Sequence, residues 1–263
     1  IETAGRIGAL THELHVALSS VPADLVFAPE RYTIHYQKQL SHAMARLLDF
    51  SLLQLMELQP LLEPSLQRSF ESIQRRRPQM ESLFKQVAIK PISTYRIREH
   101  GDYHLGQLLV GEHGELWIID FEGQPARPLT ERRIKRSPLR DVASMLWSFY
   151  TCVHKMARSH AASSFPGSDP LQITKVADSW CRWVSSAFLR AYFDAARALP
   201  SDHPAGIHRI HDAALLLDSF CLEHGLEQLG RDVIRTGRPD ELNLSGLLFW
   251  LESLSAGASH AKH

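Results

Sequence analysis

Two short stretches carry residue types that can do chemistry together: HGDYHLGQ at 100–107 and WIIDFEGQ at 117–124. Asp102 follows Gly101, a residue that lets the backbone bend tightly, and so falls on a loop, where functional groups concentrate. Gln107 offers a neutral oxygen, and Asp120 ends the apolar run LWII, which aims its carboxylate out of the core edge. A hairpin joining these positions would make an oxygen-rich corner suited to Mg²⁺, which takes hard oxygen ligands and keeps water or phosphate oxygens as the rest of its shell. Taken singly, each Asp is also an ordinary turn residue.

The elements that must position these groups are mostly helices. Ile7, Leu10, Leu14 and Leu18 recur at three and four residues and predict a helix over 2–19 with one buried face. VPADLVFAPE at 21–30 breaks it with two prolines. A stripe from Ile34 through Leu40, Met44, Leu48, Leu52 and Leu55 to Leu58 predicts a helix over 31–58, ended by Pro60. Another spans 64–87, interrupted or kinked at RRRP, 75–78. The period then changes. Segments at 93–97, 107–110 and 115–121 read as short strands, with GEHG at 111–114 as a hairpin turn. After a polar stretch at 125–137, helices resume at 138–159, 174–199, 207–229 and 241–255, with loops at 163–170 and 200–206. Ser137 and Pro138 read as the cap and first residue of the first of these. The fold class is mainly α with a small β insertion, in a single domain over 1–263.

Composition narrows the function. The 263 residues are 44% hydrophobic, enough for a real core. Lys plus Arg number 29 and so do Asp plus Glu, so no global field favours nucleic acid or an anionic membrane, and any phosphate site must be local. Cys152, Cys181 and Cys221 each stand singly among apolar neighbours and read as buried thiols in a reducing compartment. No apolar run reaches spanning length and the N-terminal residues lack a signal-peptide pattern, so a cytoplasmic protein with no membrane partner is expected. In HELH the histidines His12 and His15 are three apart rather than four, with no third ligand evident, and read as helix surface rather than a zinc site.

Spacing sharpens the reading of the two opening stretches. His, any residue, Asp, four residues, then an amide, followed after a hairpin by two apolar residues, Asp and Phe, is a phosphotransferase arrangement: the first Asp orients the acceptor hydroxyl and the later one holds metal. His100, Asp102, Gln107 and Asp120-Phe121 fall in that order, with Glu122 in place of the usual glycine and Gly123 following. This four-part agreement outweighs the turn reading of each residue alone. The run from HGDYHLGQLL through WIIDFEGQPARPLTERRIKRSPLRDVASMLWSF resembles the maltokinases, sugar kinases similar to aminoglycoside phosphotransferases and often fused behind a trehalose synthase. HGDxHxxN and IDF belong to the wider superfamily, whereas GxPARPLxERRxKxSPLRDVAxML, present here from Gly123 to Leu146, is much narrower.

The resemblance implies a protein-kinase-like helical C-lobe that transfers the ATP γ-phosphoryl group to the anomeric hydroxyl of maltose, giving maltose 1-phosphate for α-glucan synthesis. Mg²⁺ is the implied cofactor, ATP the co-substrate, and a fused or associated trehalose synthase a possible partner. By the same resemblance Asp102 is the base that takes the sugar hydroxyl proton, Gln107 and Asp120 are the Mg²⁺ ligands, His100 holds the loop, and Asp141 caps the loop's backbone from a helix. Glu122 either supports metal or nucleotide beside Asp120 or pairs with a nearby arginine. ERRIKR at 131–136 reads by itself as a solvated charged loop. With the resemblance, Arg127, Arg132 and Arg140 become candidates to bind sugar hydroxyls or phosphate through their planar forks of donors. Trp147 and Tyr150, at helical spacing beside Met145, Leu146 and Phe149, read as core rather than a sugar-stacking platform. The alternatives are a phosphotransferase for another sugar or an aminoglycoside, and a non-catalytic carbohydrate-binding lobe.

A kinase also needs a Gly-rich loop over the ATP phosphates and a strand lysine. Neither GxGxxG nor GxxxxGK[ST] occurs, and Lys38, Lys85, Lys90, Lys135, Lys155 and Lys175 fall in predicted helices or loops. The expectation is that an N-lobe precedes Ile1 in a longer protein.

Overall fold

The computed structural model of the chain describes every residue except 22–23, 126, 165–168, 201, 207–208 and 261–263. Pro22 of the expected helix break, parts of the expected loops at 163–170 and 200–206, and the expected helix start at 207 lie outside the described residues. In chain order the elements are α1 (Glu2–Leu18), β1 (Glu30–Arg31), α2 (Ile34–Leu58), α3 (Pro64–Arg75), α4 (Arg77–Ile89), β2 (Tyr95–Arg96), β3 (Leu108–Val110), β4 (Leu116–Ile118), α5 (Leu129–Arg132), α6 (Leu139–Ser164), α7 (Pro170–Arg197), α8 (Ile210–Thr236) and α9 (Glu241–His260). The fold is mainly α with two small antiparallel sheets, β1 with β2 and β3 with β4. No described helix is long and apolar enough to cross a membrane.

The chain divides into two compact units. The first comprises Ile1–Tyr32 and Ser93–Ala213. Its helical frame is α7, on which both α1 and α6 pack. Phe149 of α6 meets Phe188 of α7 edge to face at 5.5 Å, and each such buried ring adds about 1.5–3 kcal/mol. α1 comes so close to α7 that a Cβ built on Gly8 would lie 2.2 Å from the Phe188 carbonyl oxygen, which is why no side chain fits there.

The buried face of α1 differs from the leucine stripe. Ala4, Ile7, Gly8, Thr11, His12 and His15 are buried, while Leu10, Leu14 and Leu18 are only half-buried. Close helix approach selects small residues, and buried polar groups on α1 find partners in the loop and helices it faces. His12 and His15 are therefore core residues and not helix surface. Cys152 is exposed, against the expectation of a buried thiol, whereas Cys181 and Cys221 are buried.

The second unit comprises Thr33–Ile92 and Ala214–His263, where α2 packs on α4 and α3 on α9. Thr33 caps α2 by accepting the Tyr36 amide at 3.2 Å. Gln37 donates to the carbonyls of Val87 and Lys90 at 2.8 and 2.7 Å and so satisfies the end of α4. The predicted 64–87 helix is two helices, broken at Arg76 just before Pro78. α8 continues through Gly230, beyond the expected end at 229, and stops only at Thr236 before Gly237 and Pro239.

Candidate active site

The HGDYHLGQ loop lies in the first unit and is anchored at its start by backbone. Ile97 and Arg136 exchange both N–H···O bonds at 2.9 Å, which ties the loop to the segment leading into α6. Glu99 then pairs with Arg136 at 3.1 Å. Burial and the nearby Asp141 carboxylate push the Glu99 pKa up, against the pull of Arg136 and Arg140.

Asp141, in the first turn of α6, accepts the backbone N–H of His100 at 2.8 Å on Oδ2 and that of Gly101 at 3.0 Å on Oδ1. Its third partner is His15 Nε2 at 3.2 Å. Burial raises the pKa of Asp141, but the His15 hydrogen bond and charge and the Gly101 amide outweigh it, and the net shift is downward. A helix N-terminus adds a favourable dipole. Gly101 has φ +81°, so the turn that presents both amides to one carboxylate needs glycine.

His100 is buried, and its Nε2 lies 2.8 Å from the Ile119 carbonyl oxygen. A carbonyl only accepts, so Nε2 carries the hydrogen and Nδ1 is free to accept the Asp102 amide at 3.4 Å. The ring sits against Tyr103 and Phe121, with centroids 5.3 and 5.1 Å away. His100 thus joins the strand before Asp120 to the peptide of Asp102. Tyr103, one residue on, is buried with its hydroxyl 2.8 Å from Thr11 Oγ1. Thr11 donates its own hydrogen to Ile7 O at 2.7 Å, so Tyr103 is the donor. Burial raises the Tyr103 phenol well above its usual range, which keeps it a neutral donor.

The hairpin delivers the other two oxygen-bearing groups. Leu108, Leu109 and Val110 pair with Ile118, Trp117 and Leu116, and the Ile119 amide donates to the Gln107 carbonyl at 3.0 Å. Gln107 and Asp120 therefore meet at the open end of the ladder, with Gln107 Nε2 3.1 Å from Asp120 Oδ2. Asp120 has φ +66°, a left-handed conformation that costs a residue with a Cβ about 1 kcal/mol and that Asp tolerates better than most. Such a conformation at a hairpin's end re-aims one side chain.

Glu122 is largely exposed, with Oε2 3.8 Å from Arg132 Nη1. Arg132 also donates to the carbonyls of Arg127 and Pro125, both at 2.8 Å, and so closes the loop after Asp120. Arg127 lies in that loop, its amide donating to Gln124 O at 3.0 Å, and Arg140 lies beside Glu99 in the first turn of α6. Lys135 is buried, donating to Leu25 O at 2.6 Å and pairing with Glu30 at 3.1 Å, so this part of ERRIKR is interior rather than solvated. Trp147 and Tyr150 are core.

Among the described residues no group of three or more His, Cys, Asp and Glu gathers in a way that could hold a metal. One carboxylate beside one carboxamide is nevertheless the sparse oxygen set that Mg²⁺ takes when substrate phosphates and water complete its shell. Sequence reasoning missed Thr11, His15, Glu99, His104 and Tyr192. The signal available was two polar residues, Thr11 and His15, four apart on the same helical face as Ile7.

No family model matches the chain. Among solved structures it is similar to a glucosamine kinase in complex with glucosamine, ADP and inorganic phosphate, with TM-score 0.69 and 19% identity over 97% of this chain and 51% of that one. Two further structures of glucosamine kinase, in crystal forms A and B, give the same TM-score and identity, with 50% and 52% of those chains covered. The likeness is one of fold and places the chain among mainly helical, kinase-like lobes. The chain spans about half the length of these structures.

Proposed function

We propose that this chain is the acceptor-binding lobe of an ATP-dependent sugar kinase. The observation that carries the proposal is the meeting of Gln107 and Asp120 next to a loop whose backbone is fixed from beneath by Asp141. In this reading Asp102 accepts the proton of the attacking sugar hydroxyl, held in place by the hydrogen bond its backbone N–H donates to His100 Nδ1 and by Gly101 in the grip of Asp141. Gln107 and Asp120 hold Mg²⁺, which when bound neutralises charge on the phosphoryl group in transfer. Glu122 steadies the loop through Arg132. Arg127, Arg132 and Arg140 are the arginines from which a contact to sugar or phosphate would come. Leu109 and Trp117 stand opposite each other across the hairpin, 52% and 62% exposed, an apolar face that a purine would cover. The glycine-rich phosphate cradle and its lysine come from residues outside this sequence, in keeping with the half-length match.

The proposed acceptor is maltose, on the strength of the PARPL to SPLRDVA stretch, with phosphate delivered to the anomeric oxygen. Glucosamine is the second reading, favoured by the shared fold with glucosamine kinase. A panel of sugars and aminoglycosides, assayed with ATP and Mg²⁺ in the complete protein, tests both. Maltose turnover that falls by about 10³-fold or more in Asp102→Asn, with an unchanged melting temperature, is the expected result. Wild-type rates in that variant, or no phosphorylated sugar from any acceptor, would sink the reading.

A further inference from the structure

His104 stands outside the roles given above, yet it touches the cation corner. Its Nδ1 accepts the Gly106 amide at 3.0 Å, capping the 3₁₀ turn at Leu105–Gln107. An accepting Nδ1 carries no hydrogen, so the imidazole hydrogen is on Nε2. Nε2 lies 3.3 Å from Gln107 Nε2, which also lies 3.1 Å from Asp120 Oδ2. With the carboxamide in this orientation, an N–H of His104 faces an NH₂ of Gln107 and that bond is not made. The two orientations of a carboxamide are isosteric, and hydrogen bonding decides between them. The opposite orientation satisfies His104, because Nε2–H then donates to Gln107 Oε1. It also sets Oε1 against Asp120 Oδ2, an oxygen pair that repels unless a cation lies between them. The spacing of about 3 Å is close to that of adjacent oxygens in an octahedral Mg²⁺ shell with bonds of 2.0–2.1 Å.

Resting on the sugar-kinase reading, we infer that His104 is the positioning residue of the cation corner: its Nε2–H selects the Gln107 orientation that turns the carboxamide oxygen toward Asp120 when a divalent cation binds. Gly106 belongs to the same device. A Cβ there would lie 2.8 Å from His104 Cε1 and 2.9 Å from Nδ1, so only glycine leaves the ring where it is. Outer groups that orient a metal ligand typically change affinity by 10- to 100-fold.

Two substitutions separate this role from simple capping. His104→Asn keeps an acceptor for the Gly106 amide but has no group long enough to reach Gln107, whereas His104→Gln reaches Gln107 but caps poorly. Free Mn²⁺ is counted by electron paramagnetic resonance during titration of the intact protein, and the His104 tautomer is read from long-range ¹⁵N–¹H correlations. The expected result is an Nε2–H tautomer in the wild type, at least a tenfold weaker Mn²⁺ affinity in His104→Asn, and affinity within about threefold of wild type in His104→Gln. An Nδ1–H tautomer, or wild-type affinity in His104→Asn, overturns this inference alone. A wild-type protein that binds no Mn²⁺ overturns it together with the sugar-kinase reading.

Discussion

His15 of α1 reaches Asp141 of α6 across 126 residues of sequence, Nε2 to Oδ2 at 3.2 Å, while its Nδ1 sits 2.9 Å from the Tyr192 hydroxyl of α7. All three side chains are buried. The link runs on through Asp141 to the amides of His100 and Gly101. One imidazole therefore couples two helices to the backbone that carries Asp102.

His15→Phe removes that coupling and leaves a buried carboxylate and a buried phenol each short of a partner, at a cost of about 2–3 kcal/mol. In a chain of this size each kcal/mol lowers the melting temperature by about 2–4 °C. The pH dependence has a definite sign. Asp141 has a lowered pKa when folded, so its contribution is present above its unfolded pKa and lost as pH falls through the folded value. Without His15 the folded pKa rises, and acid unfolding begins at a higher pH. Thermal melts from pH 3 to 7 on both proteins check this.

At Asp120 three substitutions separate backbone from charge. Asp120→Asn tolerates φ +66° and keeps a partner for Gln107, so stability changes by less than about 1 kcal/mol while the proposed phosphotransfer falls by about 10²-fold or more. Asp120→Ala loses activity equally and is in addition about 1 kcal/mol less stable. Asp120→Gly relieves the backbone and restores that stability without restoring turnover. Chemical denaturation paired with a phosphotransfer assay reads both quantities.

The two glycines of α1 predict opposite outcomes for one mutation. Gly5→Ala meets only ordinary contacts at 3.9 and 4.0 Å and gains about 0.5–1 kcal/mol from helix propensity. Gly8→Ala drives a methyl into the Phe188 backbone, which cannot yield without separating α1 from α7, and costs about 2 kcal/mol or more. Urea midpoints of the two variants distinguish them.

Asp218 in α8 tests burial in the second unit. Desolvation pushes its pKa up from 3.8 to about 6. A group with a raised folded pKa gives its full stability below the unfolded value and loses it as pH rises through the folded one. Asp218→Asn is therefore no more stable than wild type at pH 3.5. It gains progressively between pH 4 and 6 and levels off above, by at most about 3 kcal/mol. Melting curves across that range give the crossover.

The sequence exposes what is periodic or local. Helical stripes and the 3₁₀-plus-hairpin region from His104 to Asp120 have local signals, and the meeting of Gln107 with Asp120 follows from a GEHG turn between two short apolar runs. The leucine stripe misplaced the buried face of α1, because close packing on α7 and a buried carboxylate call for Gly8, Thr11 and His15 rather than leucines. The pairing of Glu30 and Arg31 with Arg96 and Tyr95 was invisible for a different reason: two residues are too few to show alternation. Thr11, His15 and Tyr192 lie 92 to 177 residues from the groups they bond, a separation at which no spacing rule operates.

The placement of Thr11 and His15 on α1 bears on how this protein is cut for study. A recombinant fragment begun at Tyr32 would retain both motif stretches and look complete by inspection of its site residues. It would arrive without Thr11 and His15, the α1 partners of Tyr103, Asp141 and Tyr192. Inactivity in such a fragment would then report a missing brace and say nothing about chemistry.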